Sequence, residues 1–210
     1  MDSAEWDARY AAADLVWTAA PNRWVEAELA DLPPGRALDL ACGEGRNALW
    51  LAGRGWQVTA VDFSSVALAK GRDAAQAAGD GRADRIEWVE ADLLAYQPAE
   101  GGYDAVLLAY LQLAADQRRV VVSRAATALA EGGSVLVVAH EAANLTRGVG
   151  GPPDPAVLYT ADDVRADLGA SGVPLRIDRA EQVLRPVDGQ PRPAIDLLVR
   201  ATRNSPVEEK

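Results

Sequence analysis

The stretch "ALDLACGEGRNALWLAGRGWQVTAVDFSS", Ala37–Ser65, decides how the rest of the chain is read. "RALDLA" (36–41) is a short apolar run that reads as a buried strand, "RNALWLAGRG" (46–55) reads as a helix ending at glycine, and "QVTAVD" (57–62) reads as a second strand. A strand, a helix and a strand in this order make a βαβ unit with parallel strands. Gly43 and Gly45 lie in the turn between the first strand and the helix. Glycine accepts positive φ and lets backbone approach a ligand closely. Acids stand at both strand ends, Asp39 in the first and Asp62 in the second. In an open parallel sheet, ligands bind outside the carboxyl ends of the strands, which is where this turn lies.

The same alternation runs outward from the unit. "SSVALAKGRDAAQAAGD" (64–80) reads as a helix capped by Ser64 or Ser65. "RIEWVEAD" (85–92) and "YDAVLLAY" (103–110) follow as strands. A helix over 115–133 is expected to stop at Gly132 and Gly133, and "SVLVVAH" (134–140) is the fifth strand. Beyond it lie a Gly/Pro loop (141–155) and a helix with a Thr N-cap (160–172). "LRIDRAEQVLR" (175–185) and "AIDLLVRAT" (194–202) come last, and the short link between them allows only an antiparallel hairpin. The fold class is therefore α/β: a Rossmann-like, mostly parallel seven-stranded sheet with helices on both faces and a C-terminal antiparallel hairpin. Residues 1–35 have helical pattern, lie outside the sheet and suit an N-terminal lid. Residues 36–203 form the main domain, and 204–210 read as a disordered tail.

Composition narrows the function classes. The 210 residues carry a net charge of −10, which argues against nucleic acid and anionic membrane surfaces as partners. One cysteine, Cys42, permits no internal disulfide and fits a reducing, cytoplasmic setting. The N-terminus lacks a basic start and a long apolar run, so no signal peptide or membrane span is expected. No Cys/His cluster suggests a metal. Six tryptophans leave both monomer and homodimer open.

Two cofactors suit a strand, a glycine turn and a helix. "GEGRNA" matches G-x-G-x-x-A, with Asp62 nineteen residues after Gly43, so a dinucleotide and an NAD(P)-dependent oxidoreductase form one reading. That reading gives Asp39 and Asp92 no task. S-adenosylmethionine (SAM) carries an α-ammonium and no phosphate, so it calls for an acid near the turn, and Asp39 supplies one.

"LDLACGEGRNALWLA", "VTAVDFS", "EADLLAY" and the closing hairpin, in this order over about residues 36–202, resemble the class I SAM-dependent methyltransferases. "CGEGRNALWLAGRGWQV" is more narrowly similar to the TehB-like tellurite-resistance methyltransferases and their actinobacterial relatives. The resemblance implies SAM as cofactor and methyl transfer to a small-molecule acceptor, with a non-catalytic SAM-binding protein of the same fold as the alternative. It implies that Asp39, Gly43 and Gly45 hold the methionine part, that Asp62 takes both ribose hydroxyls, and that Ala41 and Phe63 also bind the cofactor. Asp92, flanked by Ala91 and Leu93, would meet the adenine, with a plain turn role as its rival. Ala109 and Tyr110 would lie near the methyl group, while Tyr10, Trp17 and Asn22 would close over the cofactor.

For the acceptor, the chain's one histidine, His140, ends the fifth strand and has the pKa range of a general base. Glu141 and Asn144 follow it in the same loop. Arg185 and Arg192 in the hairpin suit an anionic or polar substrate. Leu184 stands where the TehB-like pattern expects a histidine, a departure that counts against tellurite as substrate. Cys42 has no neighbouring base and reads as a packing residue.

Overall fold

The computed structural model describes residues 2–205; the rest of the expected tail, 206–210, lies outside the described residues. The chain divides into two compact units, residues 1–97 and 98–210.

The first unit opens with two short helices, α1 (Ser3–Ala11) and α2 (Arg23–Leu29). The βαβ unit follows: β1 (Arg36–Leu40), α3 (Arg46–Gly53) and β2 (Gln57–Asp62), then α4 (Ser65–Ala78) and β3 (Ile86–Glu90). β2 pairs in parallel with β1 on one side and β3 on the other, with Asp39 opposite Ala60 and Asp62 opposite Glu90. Ser64 is the N-cap of α4 and accepts from the Ala67 N–H, and α4 stops at Gly79 in the left-handed region. Leu38, Leu51, Leu68 and Trp56 are fully buried and form the heart of this unit. Each buried leucine contributes about 2 kcal/mol of hydrophobic stabilisation. The burial holds β1 and α3 in place, and with them the turn between.

The second unit contains β4 (Tyr103–Ala109), α5 (Ala115–Ala128), β5 (Leu129–His140), α6 (Asn144–Arg147), α7 (Ala161–Gly169), β6 (Leu175–Arg185) and β7 (Ala194–Arg203). β4 and β5 are parallel; β7 is antiparallel to β5 and to β6. Seven strands are thus described. The alternation of parallel strands with helices and the C-terminal antiparallel hairpin are those expected of the α/β class. Thr160 caps α7 as the sequence suggested, through a reciprocal capping box with Asp163.

One boundary is corrected. The glycines do not end α5; it ends at Ala128, and Leu129 is already extended. Leu129 is fully buried and pairs with Tyr103 at the start of β4. The register then shifts until Ala105 meets Ser134, so residues 130–133 form an irregular corner in which Gly132 takes φ +75°. Burial of Leu129 outweighs the stop signal. The Gly/Pro loop also holds more structure than expected: α6, a 3-10 turn over Pro155–Val157, and a bridge between Glu141 and Tyr159.

Candidate functional site

Asp39 lies at the carboxyl end of β1 and is completely buried. Neither of its carboxylate oxygens has a hydrogen-bond partner of ordinary geometry. Burial pushes its pKa from the usual carboxylate range up to about 7, against a smaller downward pull from Arg46 and the Ala48 backbone. Groups buried without partners are rare because each costs about 1–3 kcal/mol. An acid in this state suits a ligand group that donates hydrogen bonds, best of all a small cation, whose charge would offset the buried carboxylate.

The turn beyond Asp39 is built from left-handed residues: Ala41 (φ +60°), Gly43 (+56°) and Gly45 (+77°). Ala41 pays a steric penalty there, of order 1 kcal/mol, that the glycines avoid. Gly45 caps α3 with no side chain, so the first N–H groups of that helix keep no side-chain partner at the cap. Asp62 binds the turn from β2. One of its oxygens accepts from the Gly43 N–H at 2.8 Å, the other from the Ser64 N–H at 2.9 Å. Burial raises the Asp62 pKa, although the backbone N–H groups of Ser64, Gly43 and Phe63 pull it down. A carboxylate has about four lone-pair sites, so this role leaves acceptor capacity for two hydroxyls. Asp92 is exposed after β3 and accepts from the Leu94 N–H at 2.8 Å, closing a local turn. Phe63 and Ala91 are half-buried, and Leu93 is buried. Burial pushes the Cys42 thiol upward, with Asp39 and Asp62 adding to the effect, so it stays protonated as a packing residue would.

The N-terminal segment is fastened to the turn by residues that the sequence reading did not single out. Glu44, between the two glycines, is 7% exposed; its carboxylate accepts from the Val16 N–H at 3.0 Å and from Lys70 Nζ at 3.1 Å. Lys70 also donates to the carbonyls of Tyr10, Ala13 and Asp14. Asp7 accepts from the Ser64 hydroxyl and the Val66 N–H. Tyr10 is buried, and its hydroxyl lies where a Cβ on Gly43 would come within 2.7 Å of it. Only glycine at 43 lets Tyr10 cover the turn. Trp17 is 42% exposed, with the Arg9 guanidinium over its ring. Asn22 is buried, but its side chain is the N-cap of α2, accepting from Trp24 and Val25. A lysine within an apolar helix and a glutamate between two turn glycines were the available signals for this fastening. Lys70→Met keeps the helix and removes the ammonium. Limited proteolysis at residues 10–17 is expected to accelerate by about tenfold, with little change in global unfolding; an unchanged digestion rate would mean that Lys70 does not hold the segment.

In the second unit, Tyr110 follows β4 with φ +60°, a strained conformation for a bulky residue. Its hydroxyl donates to Asp196 Oδ2 at 2.8 Å, and Arg185 Nε donates to the same oxygen at 2.7 Å. Asp196 is fully buried on β7, in register opposite His140. Burial alone would raise its carboxyl, but the nearby His140 ring nitrogen and the hydrogen bond and charge of Arg185 hold it below the usual value. The His140 and Tyr110 rings are 4.9 Å apart. Three expected residues, Tyr110, His140 and Arg185, therefore gather around one that was not expected. Asp196 was legible as a lone acid within "AIDLLV". Arg185 is paired with Asp196, a partner that sequence order alone does not reveal. Asn144 is buried and locks the loop: its oxygen accepts from the Ile195 N–H and its amide donates to the Gly150 carbonyl. Buried Glu141 accepts from the Ala143 N–H. Both make these contacts with backbone. Ala109 is half-buried, and Arg192 is exposed in the hairpin link.

Among the described residues no helix is long and apolar enough to cross a membrane. A family profile described as "Methyltransferase domain" matches residues 37–133. Over 97 residues the chain is 37% identical to the demethylmenaquinone methyltransferase of Clavibacter sepedonicus, covering 46% of this chain and 36% of that protein. Over 112 residues it is 33% identical to the ribosomal RNA small subunit methyltransferase C of Alcanivorax borkumensis, covering 51% and 33%. The chain thus spans about a third of the length of these relatives. Its fold matches that of the N-methyltransferase NodS from Bradyrhizobium japonicum, solved with S-adenosylhomocysteine, at a TM-score of 0.73 and 20% identity over 97% of this chain and 100% of that one. The matched stretch begins one residue into β1 and contains Asp39, the glycine turn and Asp62, so the residues that resemble a methyltransferase domain are the ones that build this turn, and the fold is the one NodS has.

Proposed function

We propose that the protein is a SAM-dependent methyltransferase acting on a small-molecule acceptor. The observation that carries this reading is Asp39, a buried acid with no partner beneath a glycine turn. It suits an α-ammonium group, and the pyrophosphate of a dinucleotide would gain nothing from it. In this reading Asp39, Ala41, Gly43 and Gly45 hold the methionine end, Asp62 and Phe63 the ribose, and Ala91, Asp92 and Leu93 the adenine. Residues 1–35 serve as the lid, with Tyr10 as its inner surface and Trp17 and Asn22 in its frame. SAM supplies an electrophilic methyl group on a sulfonium. The protein's part is to align an acceptor with that group, and remove its proton where it has one.

The acceptor falls to the residues around His140, which we read as the general base. The net charge of −10 disfavours RNA as the acceptor, despite the ribosomal RNA relative. The hairpin gives no support to an oxyanion such as tellurite: Leu184 is exposed and Arg185 is paired with Asp196.

Calorimetric titration with S-adenosylhomocysteine, with NAD⁺ and NADP⁺ in parallel, tests the reading. Micromolar binding of S-adenosylhomocysteine alone is expected, and binding of a dinucleotide alone would refute it. Asp62→Ala is expected to weaken S-adenosylhomocysteine by about tenfold, because both ribose hydroxyls lose a buried acceptor. Unchanged affinity would remove the ribose assignment.

A further inference from the structure

The His140 ring is held from several sides. Tyr110 lies against it. Gly151 approaches so closely that a Cβ there would be 2.9 Å from the ring. The His140 backbone N–H donates to Gln112 Oε1 at 3.1 Å. Its Nδ1 is buried without a well-formed hydrogen bond, and Asp196 Oδ1 stands 3.4 Å away. An ionised carboxylate only accepts, so the nitrogen that faces it must carry hydrogen. Arg185 already balances the Asp196 charge at 2.7 Å, so the imidazole need not be cationic to keep the pair neutral.

We propose that Asp196 is a positioning residue that fixes His140 as the neutral Nδ1–H tautomer, which makes Nε2 the base and a neutral protic nucleophile, a hydroxyl, thiol or N–H compound, the acceptor. This rests on the methyltransferase reading. In the step, a bond forms between the acceptor atom and the methyl carbon as the sulfur–methyl bond breaks, its electron pair remaining on sulfur. The acceptor's proton passes to Nε2. The positive charge lost from sulfur ends on the imidazole, next to the Asp196 carboxylate, while Tyr110 and Arg185 keep that carboxylate in place. An acceptor that is already an anion would have no use for this arrangement.

The chain has one histidine, so imidazole signals from a tag-free, histidine-selectively ¹⁵N-labelled sample belong to His140 alone. At pH 8, two-bond ¹⁵N–¹H correlations of the wild type are expected to show a neutral ring with hydrogen on Nδ1 and a bare Nε2. Hydrogen on Nε2, or a fully protonated ring, would overturn the proposal without any variant. Asp196→Asn offers an amide donor and is expected to invert the tautomer, whereas Tyr110→Phe is expected to leave it unchanged. Retention of the Nδ1–H form in Asp196→Asn would show that Asp196 does not set it. Transfer of a labelled methyl group to a phenol, a thiol and an amine is compared with transfer to iodide and tellurite. Product from a protic acceptor, formed at least tenfold more slowly by Asp196→Asn, supports the acceptor class. Product from the anions alone, or from none of the five, removes it. Failure of the methyltransferase reading itself would appear separately, as absent S-adenosylhomocysteine binding with the tautomer intact.

Discussion

Asp39→Asn is expected to weaken S-adenosylhomocysteine binding by about a hundredfold at pH 8 and to raise the melting temperature of the free protein. The binding loss follows, on the proposed function, from removing a buried carboxylate that would face the ligand's ammonium, an interaction whose truncation costs about 2–5 kcal/mol. The stability gain follows from linkage. The folded protein holds the Asp39 proton up to about pH 7, whereas the unfolded chain releases it near the ordinary value of 3.8. The folded state therefore binds more protons between these values, and stability falls as pH rises through that window. Above pH 7 the buried charge costs up to about 4 kcal/mol. Asparagine removes the charge but keeps a buried polar group, so a net gain of about 2 kcal/mol is expected at pH 8, and the slope between pH 4 and 7 should flatten. For the wild type, S-adenosylhomocysteine affinity should drop about tenfold per unit as pH falls below 7, because binding must first expel the proton. Thermal melts and calorimetry over pH 5.5–8 test both halves. An Asp39→Asn variant that binds normally, or melts lower at pH 8, would contradict this account of the turn.

The βαβ core was legible because its signals are local. Val and Leu runs gave β1 and β2, and the glycines at 43 and 45 fell where left-handed backbone is required. Asp39 and Asp62 could be placed at strand ends by counting. The end of α5 and the start of β5 were not legible, because Leu129 obeys a long-range pairing with Tyr103 rather than the nearby glycines. The fastening of the N-terminal segment was missed for the same reason: Glu44, Lys70 and Asp7 look like surface charges until folding brings them to distant backbone. Asp196 stands fifty-six residues from His140 and meets it only through antiparallel register. It also pairs with Arg185, which the sequence suggested only as a cation for an anionic or polar substrate. Asn144 and Asn22 show the converse: polar residues near the expected sites proved to be occupied by loop and helix ends.

Gly45→Ala is expected to destabilise the protein by about 3 kcal/mol, and Gly71→Ala by about 2 kcal/mol although helix propensity alone predicts a gain of about 1 kcal/mol at that position. Both effects come from Trp88. A Cβ at Gly45 would lie 2.3 Å from the Trp88 ring, and one at Gly71, inside α4, would lie 2.4 Å from it. The indole thus fills the space left by two missing side chains, one in the turn and one in the helix. Gly45 adds a second cost, since its φ of +77° strains any residue with a Cβ. Gly71→Ala would also bring its methyl to 3.1 Å from the Glu44 carbonyl, in the backbone of the turn itself. The two substitutions should differ when Trp88 is made smaller. In a Trp88→Leu background the ring clash is gone, so Gly71→Ala should become neutral or stabilising, while Gly45→Ala should keep its backbone strain of about 1–2 kcal/mol. Urea unfolding of the four single and double variants, each against its own background, measures the coupling. A Gly71→Ala penalty that survives Trp88→Leu would place the constraint in the Glu44 contact instead, and would make α4 a direct support of the glycine turn.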